Sequence, residues 1–120
     1  MPVVLVAVGG AAGTLARYWI AVTVGVRTFP WATLAINVAG CFVLAALLAG
    51  PAATRWPSDV STGLGVGLLG GFTTFSTFGW ETVTLVRDGR TGWAAAYVAL
   101  SIVGGLAAAA GGYAVGRSLS

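Results

Sequence analysis

The sequence predicts an all-α membrane protein of four transmembrane helices, with the third helix broken near the middle of the membrane. Three observations carry this prediction. Of 120 residues, 58% are hydrophobic and 8% are charged, whereas a water-soluble domain carries about 25% charged residues. Mean hydropathy is +0.93. Long apolar stretches alternate with short polar connectors, and the third stretch carries a run of glycines, threonines and phenylalanines at its centre.

A helix needs roughly 20 apolar residues to cross a hydrocarbon core of about 30 Å. The first span is expected over residues 3–24, ending before Gly25-Val26-Arg27-Thr28-Phe29-Pro30. The opening Met1-Pro2-Val3-Val4 lacks the basic segment of a cleaved signal, so this stretch is expected to be retained as a span. The second span runs over 31–50, where Gly50-Pro51 stops it, and the polar stretch Thr54–Asp59 follows. The third runs over 60–86 and the fourth over 91–116, joined by the charged turn Arg87-Asp88-Gly89-Arg90. Trp31, Trp56 and Trp93 fall near span ends, where amphipathic rings favour the interface. The whole chain, 1–120, reads as one transmembrane domain.

Charge and cysteine content narrow the function. The six basic residues are all arginines (17, 27, 55, 87, 90 and 117), set against three acids, for a net charge of +3. They are scattered singly rather than in a stripe, which argues against nucleic acid as a partner. With no histidine and a single cysteine, Cys41, neither a disulfide scaffold nor a Cys/His metal site fits within one chain. No paired carboxylates or nucleophile–base set suggests an enzyme. The run Gly65–Gly70 fits G-x-G-x-x-G but lies inside a hydrophobic stretch without a preceding strand, so it reads as helix-packing glycine.

Arginines divide almost evenly between the two sides: Arg55 and Arg117 on one, Arg27, Arg87 and Arg90 on the other. The small bias favours the first and third loops facing the cytoplasm. It is consistent with one orientation, and equally with insertion both ways into an antiparallel homodimer. Small-xxx-small pairs such as Gly9/Gly13, Gly63/Gly67 and Gly112/Gly116 let helix backbones approach closely. Four helices cannot easily enclose a polar pathway alone, which points to subunit association.

Polar groups inside a span are functional leads, because each is costly in lipid. Arg17 lies about two-thirds along the first span, where a charge costs about 2.5–3.5 kcal/mol near mid-helix. It either snorkels to the interface or attracts anions at an aqueous vestibule. Asn37, mid-way along the second span, serves as an interhelical lock or offers its amide hydrogens to an anion. In Gly70-Gly71-Phe72-Thr73-Thr74-Phe75-Ser76-Thr77-Phe78, the paired glycines and four hydroxyls predict an unwound turn. Irregular backbone at that depth is tolerated where it is buried or lines a cavity. It frees carbonyls for a cation and helix N-termini for an anion. Phe75 and Phe78 share a face. Their positive ring edges suit a small anion, and core packing is the plainer use. Tyr97 and Ser101, one turn apart, continue a polar track or make ordinary interhelical hydrogen bonds.

These residues resemble the Fluc/CrcB family of fluoride channels over nearly the whole chain. Gly9–Tyr18 is similar to G-G-x-x-G-x-x-x-R-[YF], Thr33–Phe42 to T-L-x-[VI]-N-x-x-G-x-F, and Gly70–Phe78 matches G-G-x-T-T-F-S-T-F. The resemblance implies a membrane-embedded, antiparallel dual-topology homodimer in a bacterial inner membrane, passively exporting fluoride to relieve its toxicity. It implies a fluoride pathway formed by Asn37, Phe75, Phe78, Tyr97 and Ser101, with Arg17 at the vestibule. Backbone carbonyls of Gly70 and Thr73 from both subunits would hold a central sodium ion. Ile102-Val103 follows Ser101 where some relatives carry a second hydroxyl, a departure that thins the track.

Two rivals fit less well. A proton-coupled multidrug exporter of four short helices needs a carboxylate in the first span, which here has Arg17 and no acid. A purely structural assembly subunit explains Arg17, Asn37 and Ser101 but leaves the Thr-Thr-Phe-Ser-Thr-Phe run without a purpose.

Overall fold

The computed structural model describes residues 2–50 and 55–119. Pro51 and Thr54, read above as part of a helix stop and a polar connector, lie outside the described residues. The described chain is helical and contains no strand. Helix α1 spans Pro2–Val24 and α2 spans Trp31–Ala49. Helix α3 is a composite rod over 58–72: α-helical Ser58–Thr62, π-helical Gly63–Leu69 and α-helical Gly70–Phe72. After a two-residue interruption the chain resumes as α4, Phe75–Arg87, and α5 follows as Thr91–Leu119. Helices α1, α2 and α5 are each long and apolar enough to cross a membrane. The α3–α4 pair completes the four-helix plan with its broken third member.

Local chemistry sets the ends. Gly25 closes α1 at φ +79°, and its N–H donates to the Ala21 carbonyl at 3.0 Å. Pro30 stands at the cap of α2, where it brings no N–H that would lack a partner. Helix α4 stops in a Schellman motif. Gly89 takes φ +78°, its N–H donates to Val86 at 3.1 Å, and the Arg90 N–H reaches back to Leu85 at 2.8 Å. Both positive-φ positions require glycine because a Cβ would crowd the backbone there.

Packing divides into two close pairs, α1 with α3 and α2 with α5, while α4 lies on α5. The first pair is backbone against backbone. A Cβ on Gly9 would lie 2.5 Å from the Gly63 carbonyl oxygen, one on Gly67 would lie 2.8 Å from that of Val6, and one on Gly13 would overlap the oxygen of Leu68. In the second pair, Gly112 faces the Phe42 carbonyl and Gly116 that of Ala46, again too close for any side chain. Contacts of this kind hold helices by van der Waals packing where lipid provides no hydrophobic drive.

The buried core is correspondingly small, with Leu85, Ala94 and Tyr97 surrounded by Phe29, Leu34 and Phe78. Large apolar side chains cover the outside instead: Trp19 is 74% exposed, and Val103 and Leu106 are each 67% exposed. Such a surface would aggregate in water and is at home in hydrocarbon.

Candidate functional site

The interruption between α3 and α4 is two residues of extended backbone, Thr73 at φ −85°, ψ 158° and Thr74 at φ −152°, ψ 123°. Its hydrogen bonds are rerouted rather than lost. The Thr73 N–H and hydroxyl both donate to the Leu69 carbonyl, each at 3.0 Å, closing α3. Thr74 caps α4: its hydroxyl oxygen accepts from the Thr77 N–H at 3.3 Å and donates to the Thr77 hydroxyl at 3.1 Å. Removing such a cap typically costs about 1 kcal/mol.

Asn37 spans the break from α2. Its Nδ2 donates to the Thr74 carbonyl at 2.9 Å, and the Thr74 N–H donates to its Oδ1 at 2.8 Å. One amide thus satisfies both backbone groups of an extended residue, leaving the second Nδ2 hydrogen for another acceptor. Gly40, one turn along α2, lies so near the Thr73 methyl that no side chain fits between them. On the other side of α3, the Arg17 Nε donates to the Gly71 carbonyl at 3.3 Å. The guanidinium therefore holds a carbonyl at the end of the rod, and its remaining N–H groups are additional donors.

Two further carbonyls lose their helical donors. In an unbroken helix the Thr74 N–H would serve Gly70 and the Thr77 N–H would serve Thr73. Here those hydrogens go to Asn37 and to the Thr74 hydroxyl. Among the described residues no cluster of acidic or cysteine side chains could ligate a metal. A cation at the break would therefore be held by backbone oxygens, the donor type that hard ions favour.

Asn37, Thr73, Thr74, Phe75, Phe78 and Ser101 line one groove of about 320 Å3 beside the break, with Cys41 next to them. Ser101 contributes a buried hydroxyl oxygen without a hydrogen-bond partner. An unpaired buried polar atom costs about 1–3 kcal/mol, so its presence in a groove lining invites a ligand. The aromatic rings continue from the groove as a ladder. Phe75 and Phe78 have centroids 5.7 Å apart, Phe78 and Tyr97 5.0 Å, and Tyr97 meets the edge of Phe29 at 5.6 Å. Phe75 is 82% exposed and stands on the open side of the groove.

The structure thus brings four of the sequence-derived site residues, Asn37, Phe75, Phe78 and Ser101, into one groove. Tyr97 adjoins it through its ring, but its hydroxyl donates to Glu81 Oε1 at 3.0 Å. Glu81 is absent from the residues that the sequence singles out for the track. Its place one turn after Phe78 on α4 is the signal that could have linked it to the track. Arg17, Gly70 and Thr73 gather at the break, with Arg17 on the α1 side and Thr73 also reaching the groove.

Fold and site together define a multi-pass helical membrane protein whose groove, apolar with a few polar groups set into it, is built on an interrupted helix. Comparison with known proteins agrees. The family model described as CrcB-like protein, Camphor Resistance (CrcB), matches residues 4–113, and the chain belongs to that family. A Bacillus cereus relative named Fluoride-specific ion channel FluC 1 is 46% identical over 120 residues, covering 97% of this chain and 88% of its own length. A Moorella thermoacetica relative, Fluoride-specific ion channel FluC 2, is 48% identical over 101 residues, 82% of each chain. One from Allorhizobium ampelinum, Fluoride-specific ion channel FluC, is 44% identical over 123 residues, covering 98% of this chain and 97% of its own.

Proposed function

We propose that this chain is a fluoride-selective ion channel that passively exports fluoride across a bacterial inner membrane and relieves fluoride toxicity. The observation that carries the reading is the groove itself. It combines a spare Asn37 amide hydrogen, the unpartnered Ser101 hydroxyl and the Phe75–Phe78 ring pair beside a helix interruption. The names of the relatives support the choice of ion.

Fluoride is small and tightly hydrated, so the pathway must replace the water it strips. Amide and hydroxyl hydrogens do so directly, and ring edges add weak positive potential without a fixed charge that would trap the ion. Arg17 raises the local anion concentration from the α1 side while holding the Gly71 carbonyl. Tyr97 extends the track by its ring, with its hydroxyl anchored on Glu81. None of these contacts requires a proton to be exchanged, so flow is downhill.

The functional unit is an antiparallel dual-topology homodimer. The nearly balanced arginine distribution supports insertion both ways, and the exposed Phe75 supports a second surface that closes the groove. A sodium ion at the dimer centre fits the carbonyl oxygens of Gly70 and Thr73, whose helical donors have gone elsewhere. When bound, the ion would satisfy those oxygens in place of the missing N–H donors and tie the two subunits together.

The test is fluoride efflux from liposomes containing the purified protein, followed with a fluoride electrode beside a chloride control. Rapid fluoride release without chloride leak supports the channel. No release from folded dimer overturns it.

A further inference from the structure

A second groove, away from the break, lies at the end of the molecule where α2 and α5 begin. It encloses about 430 Å3, and its lining includes Arg27, Phe29, Trp31, Trp93 and Leu100. Arg27 is part of the lining, and Arg90, which lines the adjoining cavity, lies over the Trp93 ring at 5.3 Å. Apart from Arg27 and Thr28 the lining is apolar, and on α5 it runs from Trp93 to Leu100, seven residues or about 10 Å along the helix. Half a hydrocarbon core is about 15 Å, so the groove accepts the upper part of one acyl chain.

Neither arginine has an acidic partner within ion-pair distance among the described residues. Arg27 donates only its Nε, to the Val24 carbonyl at 3.0 Å, which leaves its terminal N–H groups for an anion. Glu81 and Asp88 line the adjoining cavity with both arginines and temper its positive charge, each carboxylate being directed to another partner. Glu81 accepts from Tyr97 at 3.0 Å, and Asp88 pairs with Arg87 at 3.3 Å. Trp31 and Trp93, 54% and 46% exposed, mark the depth where the headgroup region meets the hydrocarbon. Basic pockets between transmembrane helices at that depth bind acidic headgroups.

From this arrangement we propose that the α2–α5 groove is a binding site for an anionic phospholipid, with the phosphate on Arg27 and Arg90 and one acyl chain over Trp93 and Leu100. The site is separate from the fluoride groove and does not depend on what the channel conducts.

The test uses the purified full-length protein in mild detergent, titrated with phosphatidylglycerol or phosphatidylcholine and read by native mass spectrometry. Phosphatidylglycerol should remain bound where phosphatidylcholine does not. Each arginine near an anionic surface contributes about a fivefold factor, so R27Q/R90Q should weaken phosphatidylglycerol about thirtyfold. Leu100→Trp, which fills the groove and leaves both arginines, should exclude the lipid while circular dichroism stays unchanged. Equal binding of both lipids, or undiminished phosphatidylglycerol in either folded variant, overturns the proposal. So does inorganic phosphate binding as tightly as the lipid, because the chain groove would then contribute nothing. Loss of subunit association in Leu100→Trp would also overturn it, by making the groove a subunit contact.

Discussion

Replacing Asn37 by aspartate tests the groove at its most sensitive point. The substitution is nearly isosteric and keeps the acceptor for the Thr74 N–H, now at 2.8 Å from Oδ1. It removes the hydrogen donated to the Thr74 carbonyl at 2.9 Å and the spare amide hydrogen beside it. Losing that hydrogen bond and leaving the carbonyl without a donor costs about 1–3 kcal/mol. The break should therefore loosen but persist, since Thr74 still caps α4. The electrostatic effect is larger. An anion passing about 4 Å from the new carboxylate meets about 4 kcal/mol of repulsion at an effective dielectric constant of about 20. That corresponds to roughly a thousandfold fall in rate. Fluoride efflux from liposomes at mildly alkaline pH, where the carboxylate is ionised, reads this directly, with helicity and dimer content measured on the same sample. Folded Asn37→Asp protein conducting within tenfold of the original would refute the place of Asn37 in the ion path.

Other substitutions separate structure from conduction. Phe75→Ile or Phe78→Ile should stop fluoride efflux while the dimer still assembles by size-exclusion chromatography, and full flux in either variant removes the ring-edge role at that position. Ser101→Ala deletes an unpaired buried hydroxyl, so thermal unfolding in detergent should be unchanged or shift upward. Its fluoride flux should nevertheless fall, and unchanged flux would mean the hydroxyl is not on the path. Gly13→Ala forces a methyl onto the Leu68 carbonyl oxygen, with overpacking worth about 1–3 kcal/mol. It should lower the melting temperature, and an unaltered melting curve would show that α1 and α3 can separate freely.

How much of this was readable in advance depends on the kind of interaction. The class of fold followed from composition and spacing, because few charged residues and long apolar stretches leave lipid as the solvent. The break was legible because Gly-Gly and a run of hydroxyls weaken a helix through local chemistry alone. The coincidence of Asn37, Phe75, Phe78 and Ser101 in one groove came from motif resemblance, since nothing in the spacing of three separate helices measures their distance. What the Tyr97 hydroxyl bonds to was not legible. That depends on which face of α4 meets α5, and so Glu81 was passed over as a neighbour. Nor was the π-helical segment. Glycines at 63, 65 and 67 announce close packing but not a wider winding.

That wider winding has a consequence for the tolerance of α3 to changes in length. An i→i+5 ladder accommodates an extra residue that an α-helix would express as about 100° of rotation. The seven residues Gly63–Leu69 therefore act as a phase adjuster between two fixed docking points. At one end, α1 fixes the glycine face around Gly63 and Gly67; at the other, Asn37 and Arg17 fix Thr74 and Gly71. Deleting a single residue within the segment would convert it to ordinary α-helix without changing any side chain at the break. The threonines would then keep their register with α2, whereas the same deletion elsewhere in α3 would turn them by about 100°. One residue of α3 is thus dispensable inside the π-helical segment and indispensable outside it.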